Sequence, residues 1–239
     1  MLSLGATGLL FGYYVGPMAW QQRSLDGISH RILAGDRFEP EILLAALSKS
    51  GPIETASLCN PVASRAVVVI RLRLLEDAIA SSNRAELDGN LDSFRTATVR
   101  SLNCAPADPF LWFALYWADV AKRGFSQETL GYLRTSYRLG PFEGWIQIKR
   151  NRYSLAIFDQ LPADLADQVV LEYSSLVNSG FVTEAASNLV GPGWVIRQKL
   201  LASLSNAKLR YRRELLKEIR RAGFDADVPG VEIAARPWN

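Results

Sequence analysis

The chain offers few residues that could do acid–base, nucleophilic or metal chemistry. It contains one histidine, His30, and two cysteines, Cys59 and Cys104. That inventory excludes the common structural zinc sites, which need four cysteine or histidine ligands. The sequence contains no phosphate-binding glycine loop, dinucleotide-binding glycine motif, zinc-protease motif or serine-hydrolase motif. We therefore predict no catalytic residue, no metal site and no cofactor, and we expect the lone histidine to be structural.

A carboxylate enzyme is the alternative that this inventory leaves open. A helical glycan-cleaving enzyme can work with one or two carboxylates, and no motif needs to reveal them. Glu143, in the turn "LGPFEGW", is the first candidate for such a residue. The same glutamate would also suit the first turn of the next helix, where a negative charge complements the helix dipole.

The two cysteines predict a disulfide. The pattern of apolar residues predicts helices over residues 61–82 and 85–102, joined by a short polar turn. Two helices of similar length joined in this way pack antiparallel, so Cys59 and Cys104 reach the same end of the hairpin. A bridge there would close a loop of about 45 residues, stabilise the fold by about 4 kcal/mol, and indicate an oxidising compartment. Two buried free thiols are the alternative.

The N-terminal segment predicts a membrane anchor. The stretch "LSLGATGLLFGYYVGPMAW", Leu2–Trp20, carries no charged side chain and has about the 20 residues that cross a bilayer as a helix. We predict a transmembrane anchor over residues 1–22, with a buried core helix or a signal peptide as alternatives. Gly8, Gly12 and Gly16 share one face and predict a helix–helix contact in a homo-oligomer. Together with the disulfide, the anchor predicts a single-pass inner-membrane protein whose bulk is periplasmic.

The remainder of the chain predicts an all-α fold. Apolar residues recur at intervals of three and four, and no convincing alternating strand pattern appears. We assign residues 23–222 to one helical domain and residues 223–239 to an extended C-terminal tail. The other predicted helices are 25–34, 40–48, 109–123, 127–139, 144–160, 163–179, 183–190, 194–204 and 206–222.

One helix pair resembles a tetratricopeptide repeat. The residues that carry the resemblance are Trp112 and Leu115 in the first helix, Gly124 at the turn, and Thr129, Leu133, Ser136 and Pro141 in or after the second. The first helix is one residue too long for the family, and Thr129 and Ser136 replace its usual alanines. The resemblance implies an α-solenoid of antiparallel helix pairs with a concave binding face and no reaction of its own. The layout is also similar to accessory proteins of bacterial envelope assembly, including surface-polysaccharide systems.

Aromatic and basic residues supply the predicted contact surface. The helix over 109–123 is apolar nearly all round, which is typical of a buried helix, but Trp117 and Trp145 could expose rings to a partner. Lys149, Arg150 and Arg152 form one basic cluster. The segment "KLRYRRELLKEIRR" over residues 208–221 forms a second one, which predicts a solvated face or an attraction to anionic lipid, glycan or protein.

These patterns lead to one predicted role and two rivals. We predict a non-enzymatic, membrane-anchored scaffold that binds a protein or glycan partner in the bacterial envelope. The glycan-cleaving enzyme is the first rival, and a cytosolic tetratricopeptide-like adaptor is the second. The net charge of +3 is too small to indicate nucleic acid as a partner.

Overall fold

The computed structural model describes residues 23–49, 59–81, 84–141 and 143–232. Within these ranges the protein is all-α, with eleven α-helices, two short 3-10 helices and no strand. The helices are α1 (described over residues 23–33), α2 (Pro40–Ser48), α3 (Pro61–Ser81), α4 (Arg84–Cys104), α5 (Pro109–Arg123), α6 (Gln127–Leu139), α7 (Gly144–Ala156), α8 (Ala163–Asn178), α9 (Val182–Val190), α10 (Arg197–Ala202) and α11 (Leu209–Arg221). The 3-10 helices are Phe158–Gln160 and Trp194–Ile196.

The chain divides into two compact units, Met1–Leu139 and Gly140–Asn239. In the first unit, successive helices pack on one another in chain order from α2 to α6. In the second unit, α8 packs against each of α7, α9, α10 and α11, so it forms the centre of that unit. Sequential packing of this kind follows from short connections between helices that each present an apolar face.

Local capping signals place the helix starts of the first unit. The side chain of Asn60 accepts a hydrogen bond from the backbone N–H of Ala63 at 3.1 Å, and Pro61 begins α3. Asp108 accepts from the N–H of Phe110 at 2.9 Å, directly before Pro109 begins α5. These residues satisfy backbone donors that a helix leaves unpaired at its first turn. The predicted starts of α3 and α5 are therefore confirmed.

The α5–α6 hairpin also begins and turns as the sequence predicts. Gly124 ends α5 with a φ of 82°, a conformation that favours glycine. Ser126 then accepts a hydrogen bond from the N–H of Thr129 at 3.2 Å and caps α6. Leu130, Leu133 and Tyr137 are buried along α6 and form the inner face of this helix.

The α3–α4 hairpin carries the predicted cysteine pair at its open end. Cys59 and Cys104 lie at disulfide distance, with their Cα atoms 5.4 Å apart. The Arg65 side chain of α3 forms an ion pair with Asp108, with Nε 2.9 Å from Oδ2. The cysteine pair thus joins the two ends of the hairpin to each other, and the ion pair joins α3 to the residue that precedes α5.

The aromatic residues of α5 belong mainly to the core of the first unit. Phe110, Phe113 and Tyr116 are buried, together with the aliphatic residues between them. Trp112 and Trp117 are half-buried, and the indole N–H of Trp112 donates to the carbonyl oxygen of Pro106 at 2.7 Å. Most of the aromatic density of this segment therefore stabilises the helical stack.

The predicted transmembrane helix and the inner-membrane location derived from it are corrected by the observed helices. Among the residues that the structure describes, none forms a helix that is both long enough and apolar enough to cross a bilayer. The long helices α3 and α4 carry several arginines and carboxylates along their length. The predicted anchor, residues 1–22 with Gly8, Gly12 and Gly16, lies outside the described residues. Neither the anchor nor the inner-membrane location is retained.

Candidate functional site

The strongest candidate site is a polar groove on the first unit, formed by α3, α4 and α5. It consists of two adjoining cavities, of about 480 Å³ and about 240 Å³, that share Asp92 and Thr96 as lining residues. The other lining residues are Arg71 of α3, Ser93, Arg95, Ala97 and Arg100 of α4, and Lys122 and Arg123 of α5. Five of these side chains are basic, Asp92 is the one acidic side chain, and Ala97 is the one apolar residue. We call this feature the basic groove.

A buried carboxylate fixes two arginines of the basic groove. The side chain of Asp119 in α5 has 0% of its surface exposed. Arg95 donates through Nε to Oδ1 of Asp119 at 2.5 Å, and Arg123 donates through a terminal nitrogen to Oδ2 at 2.5 Å. Hydrogen bonds between charged groups are strong, and here they offset the desolvation of the carboxylate. Both guanidinium groups are therefore held in place before any ligand arrives.

The two fixed arginines can still bind an anion. Their side chains are 35% and 49% exposed, for Arg95 and Arg123 respectively. Each guanidinium has five N–H donors in a planar fork that matches the geometry of a carboxylate or a phosphate. The hydrogen bond to Asp119 also raises the pKa of Arg95, which further favours the charged form of this guanidinium.

The rim of the basic groove adds further charges. Lys122 forms an ion pair with Asp92, and both side chains are exposed, at 46% and 58%. A pair of this kind on the surface contributes little stability and exchanges readily with another partner. Ser93 and Thr96 place hydroxyl groups along the same wall. The groove can therefore offer guanidinium, ammonium and hydroxyl donors to one anionic ligand.

The structure places the predicted contact residues elsewhere. Trp117 is half-buried, and its ring packs edge-on against Phe94 with the centroids 5.7 Å apart. In the second unit, Trp145 is half-buried at the start of α7, whereas Lys149 and Arg152 are exposed on the same helix. None of these residues lines the basic groove, and their predicted role as partner contacts stays a prediction.

Arg150 lies in the interior of the second unit instead of on a contact surface. It has 0% of its side chain exposed, and it donates to Oε1 of Glu172 at 2.9 Å and 2.6 Å. It also donates to the carbonyl oxygen of Gly140 at 2.8 Å. Because a buried guanidinium needs such partners, Arg150 stabilises the packing of α7 on α8. The prediction that it contacts a partner is corrected to this structural role.

The remaining candidates for chemistry do not form a reactive cluster in the described part of the chain. Glu143 is exposed at the N-terminal cap of α7, without a side-chain hydrogen bond to the first turn. His30 is largely exposed, with Nε2 3.5 Å from Oδ1 of Asp26 on the same helix. Among the described residues, no three histidine, cysteine, aspartate or glutamate side chains are grouped to hold a metal ion.

No motif in the sequence marks the residues of the basic groove. Arg95 and Asp119 are 24 positions apart and come from different helices. The available signal is local: Asp119 is the one acidic residue in the apolar run "FLWFALYWADV". A lone carboxylate in such a run must find a cationic partner when the helix is buried. Its partner on the same helix, Arg123, follows four residues later.

Comparison with known proteins finds no matching protein-family model, no matching curated protein and no matching solved structure. The resemblance of α5 and α6 to a tetratricopeptide repeat, and the similarity to envelope-assembly proteins, therefore stay predictions that depend on the sequence pattern alone.

Proposed function

We propose that this chain is a binding protein without a reaction of its own, an adaptor whose first unit binds an acidic segment of a protein partner in the basic groove. The observation that carries the proposal is the pair of arginines, Arg95 and Arg123, held on the buried carboxylate of Asp119 at the wall of an open cavity. Fixed donors lose little conformational entropy when a ligand binds, which favours recognition of a carboxylate.

The lining of the basic groove favours a peptide over a small molecule. Sites for small molecules are lined mainly by apolar and aromatic side chains with a few polar groups. Here the described lining residues are almost all charged or hydroxylated, and Ala97 is the single apolar one. A string of glutamates or aspartates would meet several cations at once and would need no apolar pocket.

The same lining distinguishes a protein partner from a glycan at this site. Flat aromatic rings provide the usual apolar contact for sugars, and no aromatic residue is among those that line the two cavities. The cysteine pair further supports an oxidising environment, because disulfides persist there and are rare in reducing compartments. A role in the bacterial envelope, the glycan-cleaving enzyme and the cytosolic adaptor stay predictions from the sequence.

A direct test measures the affinity of the full chain for a fluorescein-labelled oligoglutamate peptide by fluorescence anisotropy. We expect Lys122→Glu to weaken binding about tenfold, because reversing one charge at a rim costs on the order of 1–2 kcal/mol. We expect Asp92→Asn to tighten binding, because it removes the one acidic side chain of the lining. Lys199→Glu is the matched control, since Lys199 is a half-exposed lysine of the second unit that also pairs with an aspartate.

Two results would overturn the proposal. One is an oligoglutamate affinity no higher than that of an uncharged glycine–serine peptide of equal length. The other is an equal loss of affinity in Lys122→Glu and Lys199→Glu, which would mean that only net charge matters. Thermal unfolding of each variant, followed by circular dichroism, verifies that the changes in affinity do not come from unfolding.

A further inference from the structure

The helix α11 of the second unit carries a basic stripe. Its exposed basic residues recur at successive turns along one face, which also carries the exposed Glu214, and its buried residues, Leu215, Leu216 and Ile219, lie on the other. The members of the stripe are Arg210, Arg213, Lys217, Arg220 and Arg221. Because a helix rises about 1.5 Å per residue, the stripe spans about 16 Å with roughly one cation per turn.

Packing fixes α11 with this stripe facing outward. The helix packs on α8 and α9, and its Tyr211 ring lies against Gly180 at the turn between them. A Cβ atom at Gly180 would lie 3.2 Å from that ring, and Gly180 has a φ of 90°. Arg212 donates to the carbonyl oxygen of Pro229 and so joins the chain after α11 to the helix. The stripe is thus presented on a fixed surface.

The charges of the basic stripe are only partly compensated. Arg221 pairs with Glu218 at 2.5 Å, and Arg220 lies 3.9 Å from Asp225. Arg213 and Lys217, at the middle of the stripe, make no ion pair within the described part of the chain. Adjacent uncompensated cations repel one another, and an anionic ligand that spans several turns would relieve that repulsion.

We propose that the basic stripe of α11 binds a linear acidic polysaccharide, a polymer with a carboxylate at regular intervals. A regular row of cations is complementary to a polymer whose charges also recur regularly. Binding of such a polymer releases condensed counterions, so it strengthens as more cations of the row are engaged and weakens as salt is added.

The surroundings of the stripe favour a polysaccharide over the other polyanions. A helix that binds a membrane surface inserts its apolar face, but the apolar face of α11 is buried in the second unit. An aromatic pair follows the end of the stripe: the Trp194 and Phe224 rings lie 4.7 Å apart and are both half-buried. The Arg197 guanidinium also lies 4.8 Å from the centre of the Trp194 ring, and the part of each ring that stays exposed can contact a sugar. The cysteine pair indicates an oxidising environment, where nucleic acid is not the expected polymer.

The test measures binding of the full chain to immobilised polygalacturonate by biolayer interferometry, with neutral dextran as the blank. We expect binding that weakens steeply with added salt. The double variant Arg213→Glu/Lys217→Glu is expected to lose at least tenfold in affinity, because it replaces two cations at the centre of the row. The matched control is Arg37→Glu/Arg138→Glu, which reverses two exposed cations of the first unit outside the basic groove and is expected to bind as the unchanged protein does.

Three results would overturn this proposal. The first is equal binding by the double variant and the unchanged protein. The second is tighter binding of single-stranded DNA than of polygalacturonate, and the third is tighter binding of phosphatidylglycerol vesicles. Because oligoglutamate binding to the basic groove is tested by Lys122→Glu and polysaccharide binding by the double variant, either proposal can fail while the other stands. Unchanged thermal unfolding of the double variant shows that α11 remains folded.

Discussion

Removing the cysteine pair should destabilise the first unit by a predictable amount. The perturbation is the double variant Cys59→Ser/Cys104→Ser. The bridge joins residues 45 positions apart and encloses the whole α3–α4 hairpin. Without the bridge, the conformational entropy of the unfolded chain increases, whereas the folded helices keep their packing. The balance therefore shifts toward the unfolded state.

The magnitude follows from the length of the loop. The chain-entropy relation gives about 4 kcal/mol for a loop of this size at 25 °C. For a chain of this length, such a loss lowers the midpoint of thermal unfolding by on the order of 10 °C. We also expect a larger dependence of the free energy of unfolding on urea concentration, because an unfolded chain without the bridge exposes more surface.

Urea unfolding followed by circular dichroism measures this effect, with hydrogen exchange to locate it. The amides of α3 and α4 should lose the most protection, since the loop encloses these helices. The control is reductant: it should destabilise the unchanged protein by about as much as the double substitution does, and it should not affect the double variant. A loss below about 1 kcal/mol, or a loss of protection confined to the second unit, would refute the reasoning.

Three further predictions concern buried groups. Arg150→Met or Glu172→Leu alone should destabilise the protein by about 3–5 kcal/mol, because each leaves the other member of the pair as an unpaired charge in the interior. The double variant Arg150→Met/Glu172→Leu should recover most of that loss in urea unfolding, and strictly additive losses would argue against the pair. Tyr173→Phe should leave stability unchanged or raise it by about 1 kcal/mol, because the fully buried Tyr173 hydroxyl has no hydrogen-bond partner among the described residues; a clear loss of stability in the same assay would contradict this. Burial raises the pKa of Tyr116 from 10 to about 12, so the unfolded chain releases this proton first, and this group should lower stability by about 2 kcal/mol as the pH rises from 10 to 12. Tyr116→Phe should flatten that fall, and an equal fall in the variant would show that another group is responsible.

The helix boundaries could be predicted because their causes are local. Asn60 and Asp108 each precede a proline that begins a helix, and each caps its helix through a side-chain hydrogen bond. Gly124 ends α5 where the sequence places a turn. The predicted helix 144–160 instead ends at Ala156 and continues as a 3-10 turn over Phe158–Gln160. The cysteine pairing was also predictable, because two adjacent helices of equal length bring their outer ends together.

The role of Arg150 could not be predicted because its partners are distant in the chain. Gln147, Arg150, Asn151 and Ser154 recur at helical spacing and form a polar face of α7 that looks solvated in the sequence. In the structure this face is buried. Glu172 of α8 binds Arg150, 22 positions away. Asn151 donates to the carbonyl oxygen of Val169 in α8 and accepts from Asn188 of α9, whereas Gln147 donates to the carbonyl oxygen of Pro141. Only tertiary packing reveals such a pairing.

The basic groove could not be predicted from the sequence, because its residues are also distant from one another in the chain. Its cations come from three helices, and the carboxylate that fixes two of them lies in a run that predicts core. The anchor was predicted from the length and apolar composition of a segment that lies outside the described residues. Local signals therefore gave the elements of this protein, whereas its candidate site depends on contacts between elements.

The most direct measurement is a titration of the full chain with oligoglutamate peptide, followed by the side-chain Nε–Hε signals of arginine in ¹⁵N-resolved NMR spectra. We predict that the signals of Arg95 and Arg123 shift in proportion to bound peptide, while that of Arg150, buried against Glu172 in the second unit, stays in place. Shifts confined to arginines outside the basic groove, or no shift at Arg95 and Arg123 at saturating peptide, would contradict the claim that this groove is the binding site.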